Sequence, residues 1–263
     1  MQIDEDFYWR VEQACWDAWP AAETRTIDGW QCRASGGATR RVNSVNATAS
    51  AAPLKDVLPG ADAYFEKRGG PALFRLLSFQ PAFAHALAAR GYQAEGETST
   101  LLAMLDDERS VRGPVELTEA PTLDWLSEKA NLSAQAGPEA EIYRAMLGRI
   151  TGPACFARKI VEGRGAALAY AAFVDPFIVI ESVLTAEAYR GQGLGHETVA
   201  ALMNWGRAEG ARFACLQVEA HNRPALALYK KLGFGVTLYN YQYWRKQVEP
   251  GHAMPSRARA VRT

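Results

Sequence analysis

The chain has 263 residues, 48% of them hydrophobic, enough for one large domain or two of ordinary size. Its 29 basic and 29 acidic side chains cancel, so no net field draws it to nucleic acid or an acidic membrane, and neither is expected as a partner. Cys15, Cys32, Cys155 and Cys215 are widely spaced with no CxxC pair; they read as buried hydrophobes in a reducing cytoplasm, with no metal site and no disulfide framework.

The opening MQIDEDFYWR is acidic and unlike a secretory signal, and no apolar run approaches a membrane span. Val11, Cys15, Ala18 and Trp19 fall at helical spacing and predict a first helix over 7–19. Two short runs, 29–34 and 39–45, flank Ser35-Gly36-Gly37 and predict a hairpin. A helix over 56–67, a strand over 72–78, a helix opened by Pro81 and closed by Gly91, and a strand over 98–105 follow. The charged run after Asp106 ends in Gly113-Pro114 and marks a boundary near residue 110, dividing the chain into domains 1–110 and 111–249.

The second part starts a fresh series. It reads as a strand over 115–118, helices over 122–130 and 138–147, and a hairpin of 154–161 with 166–174. A continuous apolar strand over 177–184 is interrupted only by Glu181 and Ser182. After it come a glycine loop, a helix to about residue 209, a strand over 213–218, a helix over 223–232 and two last strands. The tail from Pro250 lacks apolar periodicity and is expected to be disordered. An internal echo links PAFAHALAARGY at 81–92 with PALALYKKLGF at 224–234, each after a similar strand, and favours a duplicated fold.

The chemistry concentrates in Tyr189-Arg-Gly-Gln-Gly-Leu-Gly195. This is not a P-loop, since no lysine follows, nor a dinucleotide fingerprint, whose sixth position is here His196. The spacing is Arg190-x-x-Gly193-x-Gly195 at the start of a helix, where free backbone N–H groups and a partial positive charge suit an anion. Downstream stand Asn222, Ala225, Tyr229, Gly233 and Phe234.

With this loop, the helix and strand after it, and HNRPALALYKKLGF, the chain resembles the GNAT superfamily of N-acetyltransferases over roughly 112–248. Thr39–Val45, TRRVNSV, resembles the worn first copy of tandem GNAT proteins. The resemblance implies two α/β (α+β) domains, each a mixed, mostly antiparallel sheet with flanking helices. It implies acetyl-CoA as cosubstrate, its pyrophosphate held by amides of Gly191, Gln192, Gly193, Leu194 and Gly195 with Arg190 supporting the loop. Pantetheine would pair with the backbone of Val183, Leu184 and Thr185.

Tyr229 would protonate the departing thiolate, and Asn222 would bond backbone or coenzyme. For the base, relatives that modify protein N-termini carry glutamate where this chain has Gln217, which takes up no proton at neutral pH. Glu219 and Glu181 are the remaining candidates. The first copy has Leu87 where the second has Tyr229, and no glycine loop. The expected activity is direct transfer of acetyl to a primary amine of a small molecule, with a homodimer allowed; a non-catalytic acyl-CoA sensor and a protein N-acetyltransferase are the alternatives.

Overall fold

The computed structural model describes residues 3–246, so the expected disordered tail lies outside the described residues. The chain begins with α1 (Glu5–Ala18), whose first turn is closed by the Asp4 carboxylate accepting from the Phe7 amide at 3.0 Å. Next come β1 (Glu23–Ile27), β2 (Trp30–Ala34), a 3-10 turn (Arg40–Val42), β3 (Ser44–Ala47), α2 (Leu54–Glu66), β4 (Phe74–Leu77), α3 (Pro81–Ala88) and β5 (Tyr92–Met104). The C-terminal half contains β6 (Glu116–Thr118), α4 (Leu123–Leu132), α5 (Pro138–Leu147), β7 (Ala154–Val161), β8 (Arg164–Val174) and β9 (Phe177–Thr185). A 3-10 turn (Glu187–Tyr189), α6 (Leu194–Ala208), β10 (Phe213–Glu219), α7 (Arg223–Lys231) and β11 (Val236–Lys246) complete it.

One eleven-stranded sheet runs β1-β2-β3-β4-β11-β5-β10-β9-β8-β7-β6. It is mixed and mostly antiparallel: among the described residues only β3 with β4 and β9 with β10 run parallel. Each parallel pair is followed by a helix (α3, α7) and then a long strand (β5, β11). Those two long strands cross over. β11 lies between β4 and β5, while β5 lies between β11 and β10, so each fills a place in the other half's series of strands. The two segments that echo one another in the sequence hold matching stations in this order.

Helices cover both faces. On one, Val199, Leu202 and Met203 of α6 and Tyr229 of α7 pack on Ile178, Ile180, Ala214 and Leu216. On the other, Phe7, Val11 and Cys15 of α1 pack on Val179, Phe213 and Cys215, with Phe7 edge-on to Phe177 at 5.5 Å. The first helix of the chain therefore seals the sheet of the C-terminal half. A separate core of Trp30, Val57, Phe74 and Leu87 fills the N-terminal half. All four cysteines are free and buried.

Three local expectations are corrected. The predicted strand over 39–45 is a 3-10 turn followed by β3, because Asn43 folds the chain back, accepting from Ser35 and Gly36 and donating to Gly36 and Thr39 carbonyls. The expected antiparallel pairing survives, since β2 pairs with β3 through Cys32/Val45 and Arg33/Ser44, but β2 has a second partner that was not expected, β1, joined by a tight turn at Asp28-Gly29, both with positive φ. The two last strands are one, β11, which absorbs two register shifts against β5.

Candidate active site

The glycine loop sits where β9 hands over to α6. Gly191 (φ 78°) and Gly193 (φ 84°) occupy the left-handed region that side chains avoid, and Gly193 caps the helix without a side-chain acceptor. Among the described residues, no atom beyond the adjoining residues of the chain lies within 4 Å of where a Cβ would stand at either glycine, so the loop faces open space. Gly195 is needed for a different reason: a Cβ there would meet Thr185 Oγ1 at 2.9 Å and Leu228 Cδ1 at 3.3 Å, so its absence lets α6 lie close to β9 and α7.

The donors of this helix mouth are unspent. Arg190 N–H bonds Glu187 O and Glu197 N–H bonds Gly193 O, but among the described residues the amides of Gly191 through His196 between them make no hydrogen bond. Arg190 props the loop through Nε to Thr185 O at 3.4 Å, and Gln192 turns its amide onto Ala188 O at 3.3 Å. Leu194 points inward against Ala166 and Ala167. The arrangement offers bare N–H groups at a helix N-terminus, which suits a phosphate.

Beside the loop the sheet opens. β9 and β10 pair from Phe177/Phe213 to Ile180/Leu216 and then part. Past that point β10 pairs only with β5, down to Glu219/Thr98, and β9 only with β8, through Leu184/Leu168 and Thr185/Ala167. A bulge at Ser182 and Val183 bends β9 away; Ser182 has φ 54°, and its hydroxyl lies 2.7 Å from that of Tyr143 on α5. Val183, Leu184 and Thr185 thus line an unpaired strand edge next to the glycine loop.

The other expected residues divide around this opening. Tyr229 is buried against Phe234, yet its hydroxyl has no hydrogen-bond partner among the described residues. Burial, then the charge of Glu181, pushes its phenol well above the ordinary tyrosine range. Glu181 is also buried; it directly follows Ile180, the last residue of β9 paired with β10. Burial holds its carboxyl above the ordinary carboxylate range, against the opposing pull of the Arg41 charge and hydrogen bond. Glu219 ends β10 with its side chain half-exposed, 3.4 Å from His221. Asn222 caps α7, its carbonyl accepting from Ala225 N–H at 3.2 Å.

Gln217 accepts from Tyr241 at 3.4 Å and leaves its own Nε2 buried and unpaired; Thr100, opposite it in register, leaves its hydroxyl in the same state. Sequence reasoning missed Arg41, Tyr143 and Thr100. Only Arg41 left a signal, standing inside the TRRVNSV stretch singled out for its resemblance to a first GNAT copy. Among the described residues no three His, Cys, Asp or Glu side chains gather where they could hold a metal ion, and no helix is long and apolar enough to cross a membrane.

Solved structures share this fold. A GCN5-related N-acetyltransferase from Kribbella flavida superposes with a TM-score of 0.67 at 15% identity, covering 90% of this chain and 94% of its own. A tandem GNAT protein from the clavulanic acid biosynthesis pathway gives 0.58 at 15%, covering 70% and 67%. In sequence, the uncharacterized N-acetyltransferase YobR of Bacillus subtilis (strain 168) is 26% identical over 246 residues, 90% of this chain and 98% of the relative. The molecule is an N-acetyltransferase of the GNAT type. Residues 9–244 match the family described as probable histone acetyltransferase Rv0428c C-terminal, and the chain belongs to that family.

Proposed function

We propose that the C-terminal half moves an acetyl group from acetyl-CoA directly to the primary amine of a small molecule. In this reading the chain is a tandem of two GNAT-like halves, 1–110 and 111–249, of which the second is catalytic. The observation that carries it is the run of unspent amides from Gly191 to His196 in front of open space, beside a parted pair of strands.

Residues 191–195 would hold the pyrophosphate, and the free edge of Val183, Leu184 and Thr185 would pair with pantetheine. Acetyl-CoA supplies an activated thioester carbonyl. An N–H of β9 steadies negative charge on the carbonyl oxygen. Tyr229 donates its proton to the leaving sulfur; a phenol held neutral by burial, with no internal acceptor, is ready for that task. Glu181 or Glu219 takes the amine proton. Glu181 is favoured because it shares the opening with Tyr229 and is screened from bulk water, whereas Glu219 stands in solvent at the strand end. All four cysteines are buried in the cores, which does not suit a covalent carrier.

The test is calorimetric titration with acetyl-CoA, then a panel of amines with thiol release as readout. The expected result is binding that is lost when the loop glycines are replaced, and turnover with some of the amines. Absence of a heat signal rejects the reading. A second reading, a protein acetyltransferase, is favoured by the description of the matching family, and acetylated lysine in a histone peptide substrate would select it. The 4% exposure of Glu181 supports the small amine, since an enclosed base suits a short acceptor better than a polypeptide.

A further inference from the structure

The N-terminal half lacks a glycine loop and a tyrosine at the position of Leu87, yet it enters the opening of the other half at one point. Arg41, in the 3-10 turn before β3, places Nη1 2.5 Å from Glu181 Oε1, across 140 residues of chain. Both side chains are withdrawn from water, 19% and 4% exposed. The Arg41 guanidinium lies over the Trp19 ring at 4.7 Å, and Arg33 holds the same turn by donating to the carbonyls of Arg41, Trp16 and Trp19. The pair is therefore fixed from two sides. Among the described residues Glu181 Oε2 makes no hydrogen bond, and it is not among the fully sealed polar atoms.

A buried carboxylate without a counter-charge takes up a proton and stops acting as a base. Among the described residues the groups around Glu181 supply no other cation: Cys15 comes from α1, Tyr143 from α5, Tyr170 from β8 and Tyr229 from α7. Tyr241 and Tyr243 of β11 border Arg41 itself, and Arg33 lies behind it. We propose that Arg41 is a positioning residue of the transfer reaction: the N-terminal half supplies the guanidinium that keeps Glu181 ionised and occupies its Oε1, leaving Oε2 for the acceptor ammonium and its proton. This rests on the assignment of Glu181 as the base. It gives the half without catalytic machinery a definite chemical task.

The experiment follows the Glu181 carboxyl carbon by NMR in full-length protein carrying 13C-labelled glutamate, the signal assigned by its loss in Glu181→Gln. In the wild type the titration midpoint should lie below neutrality; a midpoint above pH 7 overturns the proposal without any variant. In Arg41→Gln it should rise by about 1–3 pH units, the effect of one opposite charge at contact, and Arg41→Lys should recover much of the difference. An unchanged midpoint in folded Arg41→Gln also overturns it. With an amine found by the panel, the acidic limb of kcat/KM should move with the midpoint while acetyl-CoA affinity stays at the wild-type value; a uniform loss at all pH values would instead mark a merely structural role. Failure of the wild type to bind acetyl-CoA would refute the acetyl-transfer reading and leave the titration result standing.

Discussion

The turn that follows β3 and the turn that follows β9 hold the same station, each leading from the first strand of a parallel pair into a helix, and they have opposite chemistry. After β3 the amides are consumed at home: Ala51 N–H bonds Thr48 O, Ala52 N–H bonds Asp28 O and Ser50 N–H bonds Thr48 Oγ1. Pro53 then enters α2 with no N–H at all, and Trp30 closes over the turn by donating to Ala52 O. After β9 the amides from Gly191 to His196 are left open. One level up, Leu87 is wholly buried in its core, whereas Tyr229 offers a free hydroxyl. A helix mouth becomes a ligand site when its donors are withheld from the protein, and the geometry of the fold alone does not decide this.

The largest effect should separate those two side chains. Tyr229→Phe should cut turnover by about 10²- to 10⁴-fold, the usual worth of a general acid, with acetyl-CoA affinity unchanged by calorimetry. Leu87→Ala should do the reverse, costing about 2–5 kcal/mol in denaturant unfolding with kcat intact while the protein is folded. If the two variants behaved alike, the contrast between the halves would be lost.

Next comes the loop. Gly193→Val forces a branched residue into the left-handed region, a strain of about 1–3 kcal/mol, and should weaken acetyl-CoA binding by roughly 5- to 150-fold. The same substitution at the matching first-half turn, Ser50→Val, should leave affinity untouched.

The pH profile is a subtler discriminator. Burial raises the Tyr229 phenol, so the folded enzyme keeps the proton that an ordinary tyrosine loses near pH 10. Turnover should therefore hold through about pH 9 to 10, and stability tied to this group should fade only above the unfolded value. An alkaline limb below pH 9 that disappears in Tyr229→Phe would contradict a raised phenol. The smallest effect belongs to Asn222→Ala, which removes the cap of α7 and should cost about 1 kcal/mol, read by thermal unfolding.

What the sequence made legible was local. The loop glycines, the caps of α6 and α7 and the apolar run of β9 are short-range patterns, and the helices fall within a few residues of expectation. What it hid was imposed from a distance. The first residues of β5, YQAEGE, are too polar to read as strand; they are extended because Tyr243, Trp244 and Arg245 of β11 pair with Glu95, Ala94 and Gln93. β1, ETRTI, is a largely exposed edge strand with no apolar face to announce it. Glu181 was visible as a carboxylate in an apolar strand, but its counter-charge lies 140 residues upstream, beyond any spacing rule.

The crossing of β5 and β11 has a consequence for how the molecule is made. A ribosome that has delivered everything through β5 has delivered a β4 whose outer edge is unmet and a β5 whose two neighbours, β10 and β11, are still to come. The piece that joins β4 to β5 is β11, the last of the described strands, and the same insertion gives the second half its last neighbours. Neither half can finish alone on the way out of the exit tunnel; both are completed together by one late zippering of the C-terminal strand, and a chain interrupted before it leaves two open seams.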